Sequence, residues 1–245
     1  MSAGLRVTVV DDHSLFAESL SIALQAHDIE SCTVVPDPSM TFVQLGRAIV
    51  KTQPHLVLLD LDLGLPGDRM RLVSGLAGGG IAVVIVTGSA DRLSQGEALA
   101  HGARAVIEKS APFAQIVEAV TRTRDGLPVM LRTERDSLLR EYREAEEAHR
   151  ELNARFSLMT RREAEVLGQL MVGKQVSEIA RKAFVSESTV RTQVKAILSK
   201  LQVNSQLTAV ALAHQLGWRP PSYDDDKTTS YPEPLAAVPA LRRAQ

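Results

Sequence analysis

Five short apolar runs, separated by amphipathic segments, dominate the first 125 residues. The runs are rich in Val, Ile and Leu and lack polar alternation, whereas the segments between them repeat apolar residues at helical spacing. Continuous apolar strands that alternate with helices are typical of a parallel sheet covered on both faces. We therefore predict an α/β, doubly wound, flavodoxin-like domain with a five-stranded parallel sheet. The predicted strands are residues 5–10, 31–35, 56–59, 81–86 and 103–107, and the helices lie around 16–24, 40–51, 69–77, 91–101 and 112–124.

A charged stretch without proline or glycine follows at residues 131–156. Its larger side chains recur at spacings of 4-3-4-3-4, the pattern of a coiled-coil seam. The seam consists of Leu138, Tyr142, Ala145, His149, Leu152 and Phe156. The pattern is compatible with a helix that dimerises and equally with a helix that packs on its own N-terminal domain.

Residues 157–218 are helical in pattern throughout, which predicts a small all-α domain. Thr160 and Glu163 form a capping-box signature at the start of one helix, and Gly173 is placed to end it. From residue 219 onward, prolines and an Asp triplet replace the apolar pattern. We expect residues 219–245 to be disordered, because they bury too little apolar surface to offset their ordering entropy.

Composition narrows the class of protein. The single cysteine excludes a disulfide framework, and no apolar run is long enough to span a bilayer. The absence of a signal-peptide pattern at the N-terminus predicts a cytoplasmic protein without membrane contact. Residues 1–129 carry 10 basic and 14 acidic side chains, and residues 157–218 carry 8 and 4. An acidic half before a basic half makes a polyanion a candidate partner of the second.

Charged and hydroxyl side chains follow four of the predicted strands. Asp11 and Asp12 follow the first, Asp60 the third, Thr87 the fourth and Lys109 the fifth. Ligands of open α/β sheets collect at the carboxyl ends of the strands. Converging carboxylates favour a divalent cation such as Mg²⁺, and a hydroxyl and an ammonium would complete a site for a phosphoryl group. Asp60 would be the acceptor, since carboxylates form acyl phosphates.

These residues, in this order, carry a resemblance. The segments VTVVDDHSLFAESLSIAL and GARAVIEKSA resemble the receiver domain of two-component response regulators of the NarL/LuxR (FixJ) family. The resemblance covers about residues 5–125 and implies that Asp60 accepts a phosphoryl group from a cognate histidine kinase. It also implies that Asp12 and Asp60 bind Mg²⁺ directly, that Asp11 helps through water, and that the Asp62 carbonyl is a further ligand. Thr87 and Lys109 would contact the phosphoryl oxygens.

Two departures from the family pattern bear on these assignments. Proline usually lies four residues after the phosphoacceptor, but here Pro66 lies four after Asp62 and six after Asp60. Strand alternation cannot separate the two aspartates, because a two-residue shift keeps the same face. We favour Asp60, which directly follows the apolar run 56–59. The second departure is Val106, where the family usually has Tyr or Phe, so we expect signal relay through this face to be weaker or to use other residues.

A helix, a tight turn and a second helix are predicted from residue 177. Ile179, Ala180 and Phe184 are predicted to face inward, and Val185 forms the turn before Ser186, a good N-cap. The second helix has an apolar stripe formed by Val190, Val194, Ile197 and Leu201, with Ser188, Arg191, Thr192 and Lys195 opposite it. A recognition helix presents side chains to the major groove in this way, although the periodicity alone also fits a solvated surface helix.

The segment LMTRREAEVLGQLMVGKQVSEIARKAFVSESTVRTQVKAILSKLQV resembles the LuxR-type helix-turn-helix nearly end to end. By position, the resemblance implies that Arg191, Thr192 and Lys195 approach base edges or phosphates. Lys182 and Ser188, with backbone amides near Ser186, would hold the phosphate backbone. Gln193 stands where the family commonly has His.

Together these features predict a response regulator and DNA-binding transcription factor controlled by phosphorylation. The predicted domains are a receiver at 1–127, a helical linker at 128–156, a helix-turn-helix domain at 157–218 and the tail at 219–245. The predicted partners of the protein are double-stranded DNA, the histidine kinase and a second copy of the chain in a homodimer. RNA polymerase is a further candidate partner.

Two alternatives remain open at this point. One is an atypical receiver that regulates DNA binding without phosphorylation, through a ligand or partner. The other is an enzyme, an Asp-nucleophile phosphatase, because Asp60 and Asp62 form an Asp-x-Asp pair after a strand. The helix-turn-helix argues against the enzyme.

Overall fold

The structure is a computed structural model that describes residues 5–221. The chain divides into two compact units, and the division falls between Glu144 and Ala145. Of the tail predicted at 219–245, residues 222–245 lie outside the described residues, so the expectation of disorder stays a prediction.

The first unit confirms the predicted α/β class. Its five strands pair in parallel in the order β2-β1-β3-β4-β5, the doubly wound arrangement. The elements are β1 (Arg6–Val10), α1 (Ser14–Gln25), β2 (Glu30–Val34), α2 (Phe42–Lys51), β3 (Leu56–Leu59), α3 (Arg69–Gly78), β4 (Ala82–Thr87), α4 (Arg92–Ala100), β5 (Ala105–Glu108) and α5 (Phe113–Arg124).

The sheet is covered on both faces, as its apolar strands require. Every residue of β3 and β4 is buried. Val57 and Leu59 of β3 belong to one apolar cluster, together with residues of α2, α3 and α4. Leu56 and Leu58 point to the other face, where they join a cluster with α1 and α5. This alternation fixes the register of each strand and therefore the residue at which it ends.

Helix α6 (Arg132–Ser157) corresponds to the charged stretch, and its first half packs on the first unit. Leu138 is 1% exposed and lies in the cluster of α2, α3 and α4. A Cβ added to Gly96 of α4 would overlap the Leu138 carbonyl oxygen, so the two helices approach closely only because Gly96 lacks a side chain. The sequence left open whether the seam dimerises or packs on its own N-terminal domain. At Leu138 the structure favours packing on the N-terminal domain.

The second unit is all-helical, as predicted. The end of α6 packs with α7 (Arg161–Met171), α8 (Val176–Lys182), α9 (Glu187–Leu201) and α10 (Gln206–Gln215) around one core. The predicted capping box is present, because Thr160 and Glu163 exchange both hydrogen bonds. Gly173 follows the end of α7 with a φ of 79°, as expected of a helix-ending glycine.

One core prediction in this unit is wrong. Ile179 and Ala180 are buried, but Phe184 is 96% exposed. Helix α8 ends at Lys182, and Phe184 takes a φ of 54°. The reversed backbone turns the phenyl ring outward, where a continued helix would have placed it against the core.

Candidate functional site

The strand register brings the predicted acidic residues together. Val10 of β1 pairs with Leu59 of β3, so the residues that follow, Asp11 and Asp60, stand side by side at the carboxyl edge. Ligand atoms of Asp11, Asp12, His13 and Asp60 all lie within 4.8 Å of one another. Asp11 is 1% and Asp60 3% exposed. The two buried carboxylates and the more exposed carboxylate of Asp12 therefore lie close enough to share one ion.

Lys109 is the cation of this pocket. Its Nζ lies 2.7 Å from Asp11 Oδ2 and 2.8 Å from Asp60 Oδ2, and 5.2 Å from the centre of the Phe16 ring. Burial raises the pKa of Asp60 and outweighs the opposing hydrogen bond from Lys109. Burial alone would lower the pKa of Lys109, but the bonds to Asp11 and Asp60 outweigh it and raise that pKa. Lys109 pairs with two of the three carboxylates, and Asp12 adds a third negative charge beside them, so the pocket favours a further cation.

Thr87 is the last residue of β4 and is fully buried. Its Oγ1 accepts a hydrogen bond of 3.1 Å from the Ser89 amide. The sequence predicted that Thr87 follows the fourth strand, whereas the structure includes Thr87 in β4, one residue beyond the predicted end. Lys109 directly follows β5, the strand beside β4. Its amide donates a hydrogen bond of 2.8 Å to the Thr87 carbonyl.

Asp62 is separated from this cluster. Its side chain is exposed, and it is not among the four residues that could share an ion. Its backbone amide donates to Asp60 Oδ1 at 3.2 Å. Asp60 is thus held from both sides, by Lys109 on one oxygen and by this amide on the other.

Sequence reasoning missed His13, which is also at the pocket. Its Nδ1 lies 2.7 Å from Asp12 Oδ1 and its amide donates to Asp11 Oδ1 at 2.9 Å. The available signal was its position directly after the acidic pair, at the N-cap of α1.

In the second unit, α9 presents two distinct faces. Val190, Ile197 and Leu201 are buried, and Val194 is partly buried. Ser186 caps the helix by accepting a hydrogen bond of 3.1 Å from the Thr189 amide. The predicted polar residues are all exposed: Lys182, Ser186, Ser188, Arg191, Thr192 and Lys195.

An ion pair that the sequence did not indicate holds α9 against α7. Lys200 Nζ lies 2.6 Å from Oε2 of Glu163, a carboxylate that also accepts the Thr160 amide. Glu163 is 7% exposed. Burial opposes ionisation and is the largest single influence, but the hydrogen bonds from Lys200 and Thr160 together outweigh it and lower the pKa of Glu163. Periodicity gives Glu163 a capping role only, because the partner lies 37 residues away.

None of the helices described between residues 5 and 221 is long and apolar enough to cross a membrane.

Two family models match the chain. Residues 7–121 match the response regulator receiver domain, and residues 157–213 match bacterial regulatory proteins of the luxR family. Together the two matches cover more than half of the chain, in the order predicted from the sequence.

Two regulatory proteins are similar to this chain over nearly their whole length. The glycerol metabolism activator of Pseudomonas putida is 29% identical over 85% of this chain and 94% of its own. Transcriptional regulatory protein LiaR of Bacillus subtilis is 27% identical over 86% and 97%. Among solved structures, the response regulator ChrA of a heme-sensing two-component system is 28% identical over 86% of this chain and 97% of that chain, with a TM-score of 0.43.

The chain belongs to the NarL/LuxR family of response regulators, with a receiver domain and a LuxR-type DNA-binding domain. It is a DNA-binding transcription regulator, and its family consists of transcription regulators rather than enzymes. The comparisons do not favour regulation by an atypical receiver.

Proposed function

We propose that the receiver accepts a phosphoryl group on Asp60 from a cognate histidine kinase and that this controls DNA binding. The observation that carries the proposal is the position of Asp60: 3% exposed, at the end of β3, and 2.8 Å from Lys109. Asp62 is exposed and lacks the ammonium contact. The geometry thus supports the assignment of the acceptor to Asp60 rather than Asp62.

The donor set fits Mg²⁺. Asp11, Asp12 and Asp60 offer hard oxygen ligands, and their charge exceeds that of Lys109. The Asp62 carbonyl is the proposed further ligand, on the loop whose amide already contacts Asp60. When bound, the cation would neutralise charge on the phosphoryl oxygens.

The chain's own residues account for the rest of the reaction. An Asp60 oxygen attacks phosphorus as the bond from phosphorus to the donor nitrogen breaks. The electron pair of that bond leaves with the donor imidazole. Lys109 then balances charge on the new acyl phosphate, which carries about −1.5 to −2.

Contacts from Thr87 to α4 provide a route for the signal. If the Thr87 hydroxyl moves onto a phosphoryl oxygen, the Ser89 amide loses its acceptor. Ser89 is tied to α4, because its carbonyl accepts from Gln95 Nε2 at 3.0 Å. Helix α4 in turn supports α6 through Gly96, and through Arg92, which contacts Glu141 at 2.7 Å. None of these contacts involves Val106, so this route does not need an aromatic residue at position 106.

For DNA, we propose that Arg191, Thr192 and Lys195 approach base edges or phosphates. Lys182, Ser188 and the amides near Ser186 would hold the backbone of double-stranded DNA. Exposure of these side chains on α9 and at its N-terminus supports the assignment, since a helix N-terminus favours phosphate.

The remaining proposals concern assembly and location. We propose a homodimer in the cytoplasm, with RNA polymerase a further candidate partner. The interface does not use Leu138, which is buried within the first unit. The proposed domains stay at 1–127, 128–156, 157–218 and 219–245, and both family matches fall inside the domains assigned to them.

Intact mass after incubation with acetyl phosphate and Mg²⁺ tests the acceptor. We expect one labile phosphoryl adduct on the wild type and on Asp62→Asn, and none on Asp60→Asn. An adduct that persists on Asp60→Asn and disappears from Asp62→Asn would move the acceptor to Asp62. If neither acetyl phosphate nor a donor histidine kinase phosphorylates the wild type, the proposed control by phosphorylation is wrong.

A further inference from the structure

Phe184 is the most exposed of the large apolar side chains that the structure describes, at 96%. Single exposed apolar residues are common on protein surfaces and need no explanation by themselves. Phe184 differs because its backbone is also in an unfavourable conformation for its side chain, with a φ of 54°. Left-handed backbone is unfavourable for a bulky residue and easily adopted by glycine.

The conformation follows from how α8 ends. The Phe184 amide donates to the Arg181 carbonyl at 3.3 Å, and the Val185 amide donates to the Ala180 carbonyl at 3.0 Å. These two bonds form a Schellman motif with Phe184 at the position where glycine is preferred. The fold therefore needs a left-handed residue here but gains nothing from a phenyl ring at this position.

The location of the ring points to its partner. Phe184 lies two residues before Ser186, the N-cap of α9, and two after Lys182, the last residue of α8. Both neighbours belong to the surface proposed to hold the phosphate backbone. The ring is thus adjacent along the chain to the proposed DNA-binding surface, where Phe184 and Val185, which is 37% exposed, are the apolar members of an otherwise polar and basic set.

We propose that Phe184 contacts DNA, with its ring packed on a backbone deoxyribose beside the phosphates held by Lys182 and the amides near Ser186. This assignment rests on the proposed DNA-binding surface. The sugar is the apolar part of the nucleic acid backbone that every sequence presents. The contact therefore adds affinity without selecting bases.

The test is anisotropy titration of the full chain with a short mixed-sequence duplex, combined with thermal unfolding. Phe184→Gly relieves the left-handed strain, so we expect a higher melting temperature. Its DNA affinity should nevertheless fall about fivefold or more, the size expected from losing partial burial of a phenyl ring. The dependence of affinity on salt should not change, because the ring neutralises no phosphate.

Three variants separate the ring from other effects. Phe184→Ala keeps the strained position without the ring and should lose as much affinity as Phe184→Gly. Phe184→Tyr keeps the ring and should bind like the wild type. Val172→Ala, which trims another side chain that is 72% exposed in the same unit, should leave DNA affinity unchanged.

Failure of this inference is distinguishable from failure of the proposed DNA surface. Lys182→Ala should weaken binding and reduce the salt dependence by about one ion, because it removes a phosphate contact. If that occurs while Phe184→Gly and Phe184→Ala bind within twofold of the wild type, the proposed surface stands and the role of Phe184 in DNA binding is wrong. The same result, weaker binding by Lys182→Ala and unchanged binding by the Phe184 variants, is expected if the ring contacts a protein partner instead of DNA.

Discussion

The two functional regions place their polar side chains in opposite environments. At the receiver pocket, Asp11 and Asp60 are almost fully buried and share one ammonium. On α9, Arg191 and Lys195 are exposed, and the ion pair of Arg191 with Glu187 links neighbours on one helix turn. Charges in the pocket are therefore sensitive to each other and to any ion or group that enters. Charges on the helix are available to an external polyanion.

The difference has an energetic consequence. A buried ion pair is expensive to break, because the remaining charge stays desolvated, whereas an exposed pair contributes little. The receiver can thus respond strongly to a change in charge at Asp60. The proposed DNA-binding surface would gain its charge contacts only when DNA is present.

The largest effect is expected from Lys109→Met, which leaves Asp11 and Asp60 buried without their cation. We expect the free energy of unfolding of the first unit to fall by about 3–5 kcal/mol at neutral pH. Added Mg²⁺ should recover more stability in this variant than in the wild type. Denaturant unfolding with and without Mg²⁺ measures both, and a loss below about 1 kcal/mol without Mg²⁺ would contradict the proposed charge balance.

Glu163→Gln tests the buried pair of the second unit. The variant leaves Lys200 without its carboxylate, and we expect a loss of about 2–3 kcal/mol in the stability of this unit. Because the pKa of Glu163 is lowered on folding, its contribution is present above the ordinary carboxyl pKa and is lost as the pH falls. The matched exposed variant, Glu187→Gln, should change stability by less than about 0.5 kcal/mol. Equal losses of stability in Glu163→Gln and Glu187→Gln would contradict the expectation that the buried ion pair contributes more than the exposed one.

Gly96→Val tests the contact between α4 and α6. The added side chain meets the Leu138 carbonyl oxygen and Tyr142 Cβ, so the first half of α6 must shift. We expect a destabilisation of about 1–3 kcal/mol and faster amide hydrogen exchange over residues 132–144. Gly75→Ala in α3 is the control, since a Cβ added at Gly75 has no neighbouring atom within 4 Å. Unchanged exchange in Gly96→Val would show that α6 is not held at this position.

The smallest effect is expected from Arg92→Ala, which removes the ion pair with Glu141. The Arg92 hydrogen bond lowers the pKa of Glu141 to about 2. A lowered pKa means that the pair stabilises the fold above about pH 4.5, and that this contribution is lost as the pH falls toward about 2. Both partners are partly exposed, so the loss at neutral pH should stay below about 1 kcal/mol. Acid titration of the wild type and Arg92→Ala should converge near pH 2, and a constant difference across this range would contradict the pairing.

Most of the fold was predictable because periodicity is a local signal. Strand β3 ends where the apolar run ends, and its neighbour in the sheet follows from the doubly wound pattern. The convergence of Asp11, Asp60 and Lys109 could therefore be expected before any distance was known. Whether Asp60 or Asp62 faces the pocket could not be decided by alternation, and it depends on how the loop after β3 turns.

Other features depend on partners distant in the chain. Nothing near Glu163 indicates Lys200, and nothing near Gly96 indicates Leu138. Phe184 was misplaced because an apolar residue at helical spacing is expected to face the core. The left-handed turn that ends α8 reverses that direction.

The most direct test of the account measures DNA affinity of the full chain before and after incubation with acetyl phosphate and Mg²⁺. Wild type and Asp60→Asn are compared on the same duplex, and intact mass is followed in parallel. Phosphorylated wild type should bind at least about fivefold more tightly, the lower end of usual coupling between sites, and Asp60→Asn should not respond. An unchanged affinity in wild type whose mass shows the adduct, or an equal response in both proteins, would contradict control of DNA binding through Asp60.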